Sequence, residues 1–255
     1  MSELATLTIE TPRATLTIDR PEQRNALSIE LLDALHARMD ELERTPGVQV
    51  VTITGAGRAF CAGMDLKQVI LAAADGGSGD PDLPHRLLAS LGRFTLRVRA
   101  LPAVTVARVN GAAIGGGCGL ACVCDVAVTH ADAKLGFPEV DLGLCPAVVA
   151  PWVVRKVGAG RARRVLLMGG VMSGADAHAL GLVDLLAPTR DGLDAACLEL
   201  VERLASGGAR ALAATKALLN ELDGSVDGAL VERGARLSAE VLATPEAQAA
   251  LKARL

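Results

Sequence analysis

Val104-Thr-Val-Ala-Arg-Val-Asn-Gly-Ala-Ala-Ile-Gly-Gly-Gly-Cys-Gly-Leu-Ala-Cys-Val-Cys124 is the stretch on which the reading of the fold turns. Val104 to Val109 is rich in β-branched residues and reads as a strand. It runs through Asn110-Gly111 to three consecutive glycines, Gly115 to Gly117, and into a short apolar helix ending near Cys124. Strand, glycine turn and helix in that order are the unit of an α/β core. Three glycines at a helix start leave backbone N–H groups uncovered where the helix dipole is positive, which attracts a developing negative oxygen. Tight strand–helix packing would also use glycines, and this stretch alone leaves both readings open. A dinucleotide fingerprint fits poorly, because Gly117-Cys-Gly119-Leu-Ala-Cys122 lacks the last glycine of GxGxxG.

Toward the N-terminus, Leu4 to Glu10 and Ala14 to Asp19 alternate apolar and polar residues around Thr11-Pro12-Arg13, the pattern of a hairpin. Ser28 caps a helix whose Leu31, Leu32, Leu35, Met39 and Leu42 share one face, and Pro46-Gly47 ends it. Val48 to Thr54 is another β-branched strand, broken by Gly55-Ala56-Gly57. Beyond it, Ala62-Gly63-Met64 is a second bare stretch. Two N–H donors from two separate turns are what an oxyanion hole requires. The Gly/Asp/Pro-rich segment 72–84 reads as a mobile loop, followed by a helix from about His85 to Ala100.

Toward the C-terminus, Asp125 to Thr129 is a further strand, entered by Asp125 as a structural hydrogen-bonding group. Leu135-Gly-Phe-Pro-Glu-Val-Asp-Leu-Gly-Leu-Cys-Pro146 then places Glu139 after Pro138 in a mostly apolar, glycine-flanked run. A carboxylate there is either a surface turn residue or a base in a dry pocket, where burial would raise its pKa. Asp141 would share its face if the segment is extended. Beyond Pro146 the pattern is helical. Ser173 opens a capping-box-like start with Asp176, Gly181 ends that helix, and Ala195–Ala205, Ala209–Leu222 and Gly228–Leu242 are Ala/Leu-rich helices. Strands dominate the first half and helices the second.

Hydrophobic residues make up 51% and aromatics 2%, with one Trp and no Tyr, so the core must be aliphatic. A net charge of −3 and a pI near 5.8 give no reason to expect nucleic acid or an anionic membrane as partner. No run approaches the roughly 18 apolar residues of a membrane span. The first residues lack a secretory n-region, which predicts a cytoplasmic protein. Six cysteines without a CxxC pair argue against disulfides, and Cys118, Cys122 and Cys124 read as small buried residues. The histidines His36, His85, His130 and His178 have neither metal spacing nor a nucleophile elbow beside them.

Together these segments resemble the crotonase superfamily, the enoyl-CoA hydratase/isomerase family, over essentially the whole chain. Arg20-Pro-Glu-Gln-Arg-Asn-Ala-Leu27 is similar to its N-terminal signature, and Phe60-Cys-Ala-Gly-Met-Asp-Leu-Lys67 to its first oxyanion-hole motif. Asn110 to Asp125 is similar to its glycine-rich motif, Phe137 to Gly143 to its acid/base motif, and Ser173 to Val183 to its later Ala-x-x-x-Gly-Leu-Val segment. The resemblance implies an α/β fold, a ClpP-like spiral of ββα units over residues 1–190, with a helical C-terminal oligomerisation region over 191–255 that forms trimers or hexamers. It implies Glu139 as acid/base, and the N–H groups of Met64 and Gly116 on the thioester oxygen. It places coenzyme A, as part of an acyl-CoA substrate, against Arg24, Ala26, Leu27, Ala62, Met64, Asp65, Leu66, Lys67 and Gly116, with Arg24 and Lys67 facing its phosphates. It implies no metal and no cofactor beyond the substrate's own coenzyme A. One departure stands out. Typical hydratases of the family carry a second glutamate where this chain has Gly119, and one carboxylate suffices for the 1,3 proton shift of the family's isomerases. Gly143-Leu-Cys-Pro-Ala-Val-Val-Ala-Pro-Trp-Val153, in turn, is similar to a bacterial subgroup of methylglutaconyl-CoA-type hydratases. The expectation is therefore an enoyl-CoA hydratase, with an isomerase or a weakly active acyl-CoA-binding protein as alternatives.

Overall fold

A computed structural model of the chain describes residues 3–65, 68 and 82–253. The hairpin forms as expected from β1 (Ala5–Glu10) and β2 (Arg13–Ile18). Ser28 accepts a hydrogen bond from Leu31 N and starts α1 (Ile29–Glu43), which buries the five apolar residues named from its spacing. β3 (Val50–Gly55) continues through a sharp corner into β4 (Ala59–Cys61). After α2 (Leu83–Ala100), β5 (Val104–Val109) turns in the same way into β6 (Ala112–Ile114) and α3 (Gly116–Val123). β7 (Val126–His130) and β8 (Lys134–Gly136) repeat the move and lead to α4 (Ala150–Met168), which is broken at Gly158. Then follow β9 (Val171–Ser173), α5 (Gly174–Leu180) and β10 (Leu185–Ala187). The chain closes with α6 (Leu193–Ala205), α7 (Ala209–Leu222), α8 (Gly228–Leu242) and α9 (Pro245–Lys252).

Each ββ corner sends one strand to a large sheet, ordered β1-β2-β3-β5-β7-β10, and the next to a small sheet, ordered β4-β6-β8-β9. Neighbours β2, β3, β5, β7 and β10 run parallel, as do β4, β6 and β8. This is the spiral of ββα turns. The pleat divides the large sheet's side chains between two cores. Leu16, Ile18, Val51, Ile53, Ala107 and Val109 face the main core, and Val50, Val106 and Val128 face Leu193, Cys197 and Val201 of α6.

The short strands β4, β6 and β8 had no sequence signal of their own. At three residues each they are too short for a period, and pairing alone defines them. The loop expected over 72–84 lies outside the described residues as far as 81. At its end Leu83 and Pro84 are already helical, since Pro is tolerated in a first turn. Three of the last four helices, α6 to α8, form where expected and α9 is an additional one, and α6 and α8 pack against the spiral. α6 covers the large sheet, and Val231, Ala235 and Leu242 of α8 are buried in the main core. No helix among the described residues is long and apolar enough to cross a membrane.

Candidate active site

The first wall of the site follows β4. Leu27 N donates to Gly63 O at 2.7 Å, and Asp65 N donates to Leu27 O at 2.9 Å. Leu27 thus bridges the chain on either side of Met64. In a parallel bridge of this kind the skipped residue's own N–H points the other way. Among the described residues Met64 N has no acceptor. Two asparagines hold the β3–β4 corner that leads into this stretch. Asn25, fully buried at φ 58°, donates from Nδ2 to the carbonyls of Ala56, Ala59 and Phe60. Asn110 donates to the carbonyls of Gly55, Gly57 and Ala59 and accepts from Gly55 N.

The second wall is the β6–α3 turn. Gly115 takes φ 53°, ψ −118°, a region that side chains oppose, and so makes Gly116 the first residue of α3. As the first residue of a helix, Gly116 has an N–H without an intrahelical partner, at the positive end of the dipole. The two turns pack directly. A Cβ on Gly63 would lie 2.7 Å from Ile114 O and 3.8 Å from Gly116 N. The N–H groups of Met64 and Gly116 therefore belong to one small space.

Glu139 completes this edge. It leaves β8 through Pro138 in helical conformation and starts a 3₁₀ turn, Val140–Leu142. Its carboxyl lies against Gly115, where a Cβ would meet Oε1 at 2.7 Å. Oε2 is buried and has no hydrogen-bond partner among the described residues. Burial pushes its pKa up to about 7 against a downward pull from its own backbone N–H, and the charge of Asp141 adds a smaller upward push. Such a group takes up and gives back a proton near neutrality.

A cavity of about 110 Å³ joins these pieces. It is lined by Ala62, Gly63, Met64, Gly115, Gly116 and Glu139 on the polar side, and by leucines, valines, Cys145, Ser238 and Leu242 on the other. Glu139, Met64, Gly116 and Ala62, four of the residues named from the sequence, thus line one cavity. Leu27 is buried behind them, its Cδ1 against Gly116. Ala26 accepts from Arg20 at 3.0 Å through its carbonyl. Asp65 is held in an ion pair with Arg20 at 2.7 Å, so its carboxylate ties the loop. Arg24 is exposed and left-handed, its carbonyl accepting from Ala62 N. Leu66 and Lys67 lie outside the described residues.

Asp141 does not share Glu139's face. The 3₁₀ turn rotates it outward, where it is exposed and accepts from Gly170 N at 2.8 Å. Asp125 is structural as expected, accepting from Thr105 N and Oγ1 and pairing with Lys216 at 2.7 Å. No group of metal-ligating side chains gathers among the described residues. Cys118, Cys122 and Cys124 are buried free thiols. Gly119 lies under Val149, where a Cβ would be 2.6 Å from the valine Cβ. The space that a side chain at position 119 would need is therefore filled by an isopropyl group. The roles of Val149, Ser238 and Leu242 escaped the sequence analysis. The Asn-Gly pair at 110–111 was a signal for Asn110, whereas nothing local marks a residue that reaches the site from a distant helix.

Two backbone N–H donors beside a buried carboxyl are an arrangement that can stabilise a developing oxyanion and exchange a proton next to it. A family model for the enoyl-CoA hydratase/isomerase family matches residues 9–253. The chain belongs to this family, within the crotonase superfamily. It is 40% identical over 226 residues to a Thermus thermophilus protein provisionally named an enoyl-CoA hydratase, covering 89% of this chain and 86% of that one. Among solved structures, it is similar to Pseudomonas aeruginosa AtuE, with TM-score 0.81, 37% identity and coverage of 96% and 93%. It is also similar to an enoyl-CoA hydratase from Mycobacterium avium subsp. paratuberculosis K-10, with TM-score 0.85, 26% identity and 99% coverage of each chain. Members of the family act on acyl-CoA substrates.

Proposed function

We propose that this chain is an enoyl-CoA hydratase that adds water across, or removes it from, the α,β bond of an acyl-CoA thioester, with Glu139 as its acid/base. The observation that carries this reading is the unpaired Glu139 Oε2, buried beside the Met64 and Gly116 turns. In the hydration direction, Glu139 takes a proton from water as the oxygen bonds to the β-carbon. The π electrons move into the thioester, and the two N–H groups hold the resulting enolate oxygen. Glu139 then returns the proton to the α-carbon and the enolate collapses. The names of the Thermus and Mycobacterium proteins support this direction. Coenzyme A enters as part of the substrate, with Arg24, which is exposed, and Lys67 assigned to its phosphates, and no other cofactor is needed.

The Val149 side chain over Gly119 favours a second reading. With one carboxylate, the same site suits an isomerase that removes an α-proton from a β,γ-enoyl thioester and returns it at the γ-carbon. Crotonyl-CoA and a β,γ-enoyl-CoA in separate cuvettes distinguish the two. Loss of conjugated absorbance with the first supports hydration, and gain with the second supports isomerisation. No change in either would overturn both and leave an acyl-CoA-binding protein.

The proposed assembly is a trimer or hexamer. Leu218, Leu219 and Leu222 of α7, with Val226 after it, are exposed apolar residues on one part of the C-terminal region. Light scattering that gives only monomer at micromolar concentration would contradict it.

A further inference from the structure

The far end of the cavity is built by a part of the chain about ninety residues away in sequence. α8 crosses the 145–149 loop at Gly234, where a Cβ would lie 2.7 Å from Ala147 O, so helix and loop backbones touch. One turn on, Ser238 is 5% exposed. Its hydroxyl donates to Cys145 O at 2.8 Å and accepts from Ala147 N at 3.1 Å, across 93 and 91 residues of sequence. Another turn on, Leu242, 2% exposed, closes the cavity beside Leu142, Leu144 and Val149.

Size and charge follow from that lining. An apolar cavity of about 150 Å³ admits a six-carbon benzene. A cavity of about 110 Å³ accordingly holds roughly four carbons. Glu139 is the only ionisable carboxyl on the described lining, and no Lys, Arg or His is there to oppose it. Between residues 66 and 81 the one Lys, Arg or His is Lys67, which the coenzyme A reading assigns to the phosphates. An acyl group ending in a carboxylate would give up its water there without gaining a cation.

We infer that Leu242, with Ser238 as the positioning residue that holds the 145–149 loop, sets the acyl size this site accepts, and that the site takes a short uncharged acyl group in preference to one ending in a second carboxylate. This rests on the reading of the cavity as an acyl-thioester site. It runs against the methylglutaconyl-type substrate that the 143–153 segment suggested.

Calorimetric titration of the full chain with free coenzyme A and with butyryl-, octanoyl- and glutaryl-CoA tests it without turnover. Each affinity is expressed relative to free coenzyme A on the same protein. Each buried methylene is worth about fourfold, so butyryl-CoA should bind more than about tenfold tighter than coenzyme A. Octanoyl-CoA should gain no more than butyryl-CoA, and glutaryl-CoA should gain nothing. Leu242→Ala should raise the octanoyl-to-butyryl ratio by about tenfold, and the milder Leu242→Val by about two- to fourfold in the same direction. Ser238→Ala should raise the ratio too, and Ser238→Thr, which keeps the hydroxyl, should restore it. The inference is overturned by a ratio that ignores both Leu242 variants, by glutaryl-CoA binding as tightly as butyryl-CoA, or by acyl chains that add nothing to coenzyme A. The expected selectivity without turnover in the enoyl-CoA assays would overturn the hydratase and isomerase readings and leave the size rule standing. Turnover with an unchanged ratio would do the reverse.

Discussion

The two walls of the cavity are made differently. The polar wall, Met64, Gly116 and Glu139, comes from three successive ββ turns of the spiral, and two of the three groups proposed to act there are backbone N–H. The apolar wall, Val149 and Leu242 with Ser238 behind them, comes from the loop before α4 and from α8, and works through side-chain shape. The first wall is held by glycines and by two asparagines that each bind three carbonyls of one turn. The second is held by packing. The proposed reading thus puts chemistry on one wall and selectivity on the other, and substitutions on the two walls should have different signatures.

The largest effect is expected at Glu139. Glu139→Gln keeps the size and removes the base, so turnover should fall by roughly 100- to 10,000-fold while coenzyme A binding stays close to wild type. Solvent deuterium exchange at the substrate's α- or γ-carbon should be lost as well. Exchange at the wild-type rate would show that another group carries the proton. The outward turn of Asp141 makes it a poor substitute.

Gly116→Pro tests the backbone part of the same wall. Pro is accepted at the first position of a helix and lacks only the N–H. A Cβ there meets nothing nearer than Leu91 Cδ2, at 3.1 Å. A folded Gly116→Pro protein should lose about 100- to 1,000-fold in turnover. Near-normal turnover would remove Gly116 from the oxyanion hole.

The raised pKa of Glu139 also has a consequence for stability. Its carboxyl keeps a proton up to about pH 7 in the folded chain, against an ordinary value of 4.5. Between those limits the folded state binds more protons than the unfolded state, so stability falls as pH rises through that window. Glu139→Gln lacks this penalty. From pH 4 to pH 8 its stability should improve relative to wild type by about 3 kcal/mol. Parallel urea melts at the two pH values measure this, and an unchanged difference would mean that the carboxyl titrates as if in water.

Gly119→Ala probes the seam between the walls. The new methyl must displace Val149, and overpacking of this kind costs about 1–3 kcal/mol. Val149→Ala in the same chain should recover part of the loss. Additive losses in the double variant would mean that the two positions do not share the space.

The smallest effect concerns the entrance. If Arg24 faces the phosphates of coenzyme A, raising ionic strength should weaken binding, because exposed pairs are screened over about 8 Å at physiological salt. Arg24→Ala should cost no more than about 1 kcal/mol and flatten the salt dependence. Affinity independent of salt would assign the phosphates to other groups.

What the sequence determined by itself was where the turns of the polar wall fall, not what their groups do. A glycine that must turn the chain, an asparagine before a glycine and a carboxylate after a proline are local requirements, and each leaves its mark within a few residues. The hairpin, α1 and the Ser173 cap were legible for the same reason. Tertiary structure alone decided the rest. Whether Glu139 is a surface residue or a buried base depends on what covers it, and Asp141 turned outward because the backbone after Glu139 is a 3₁₀ turn rather than extended. The strands of the small sheet exist only as partners of one another. Leu242 and Ser238 look in sequence like ordinary positions on an amphipathic helix. They meet the site only because α8 folds back across the 145–149 loop, and apolar packing is non-directional, so one helix face can bury against many surfaces and does not record which.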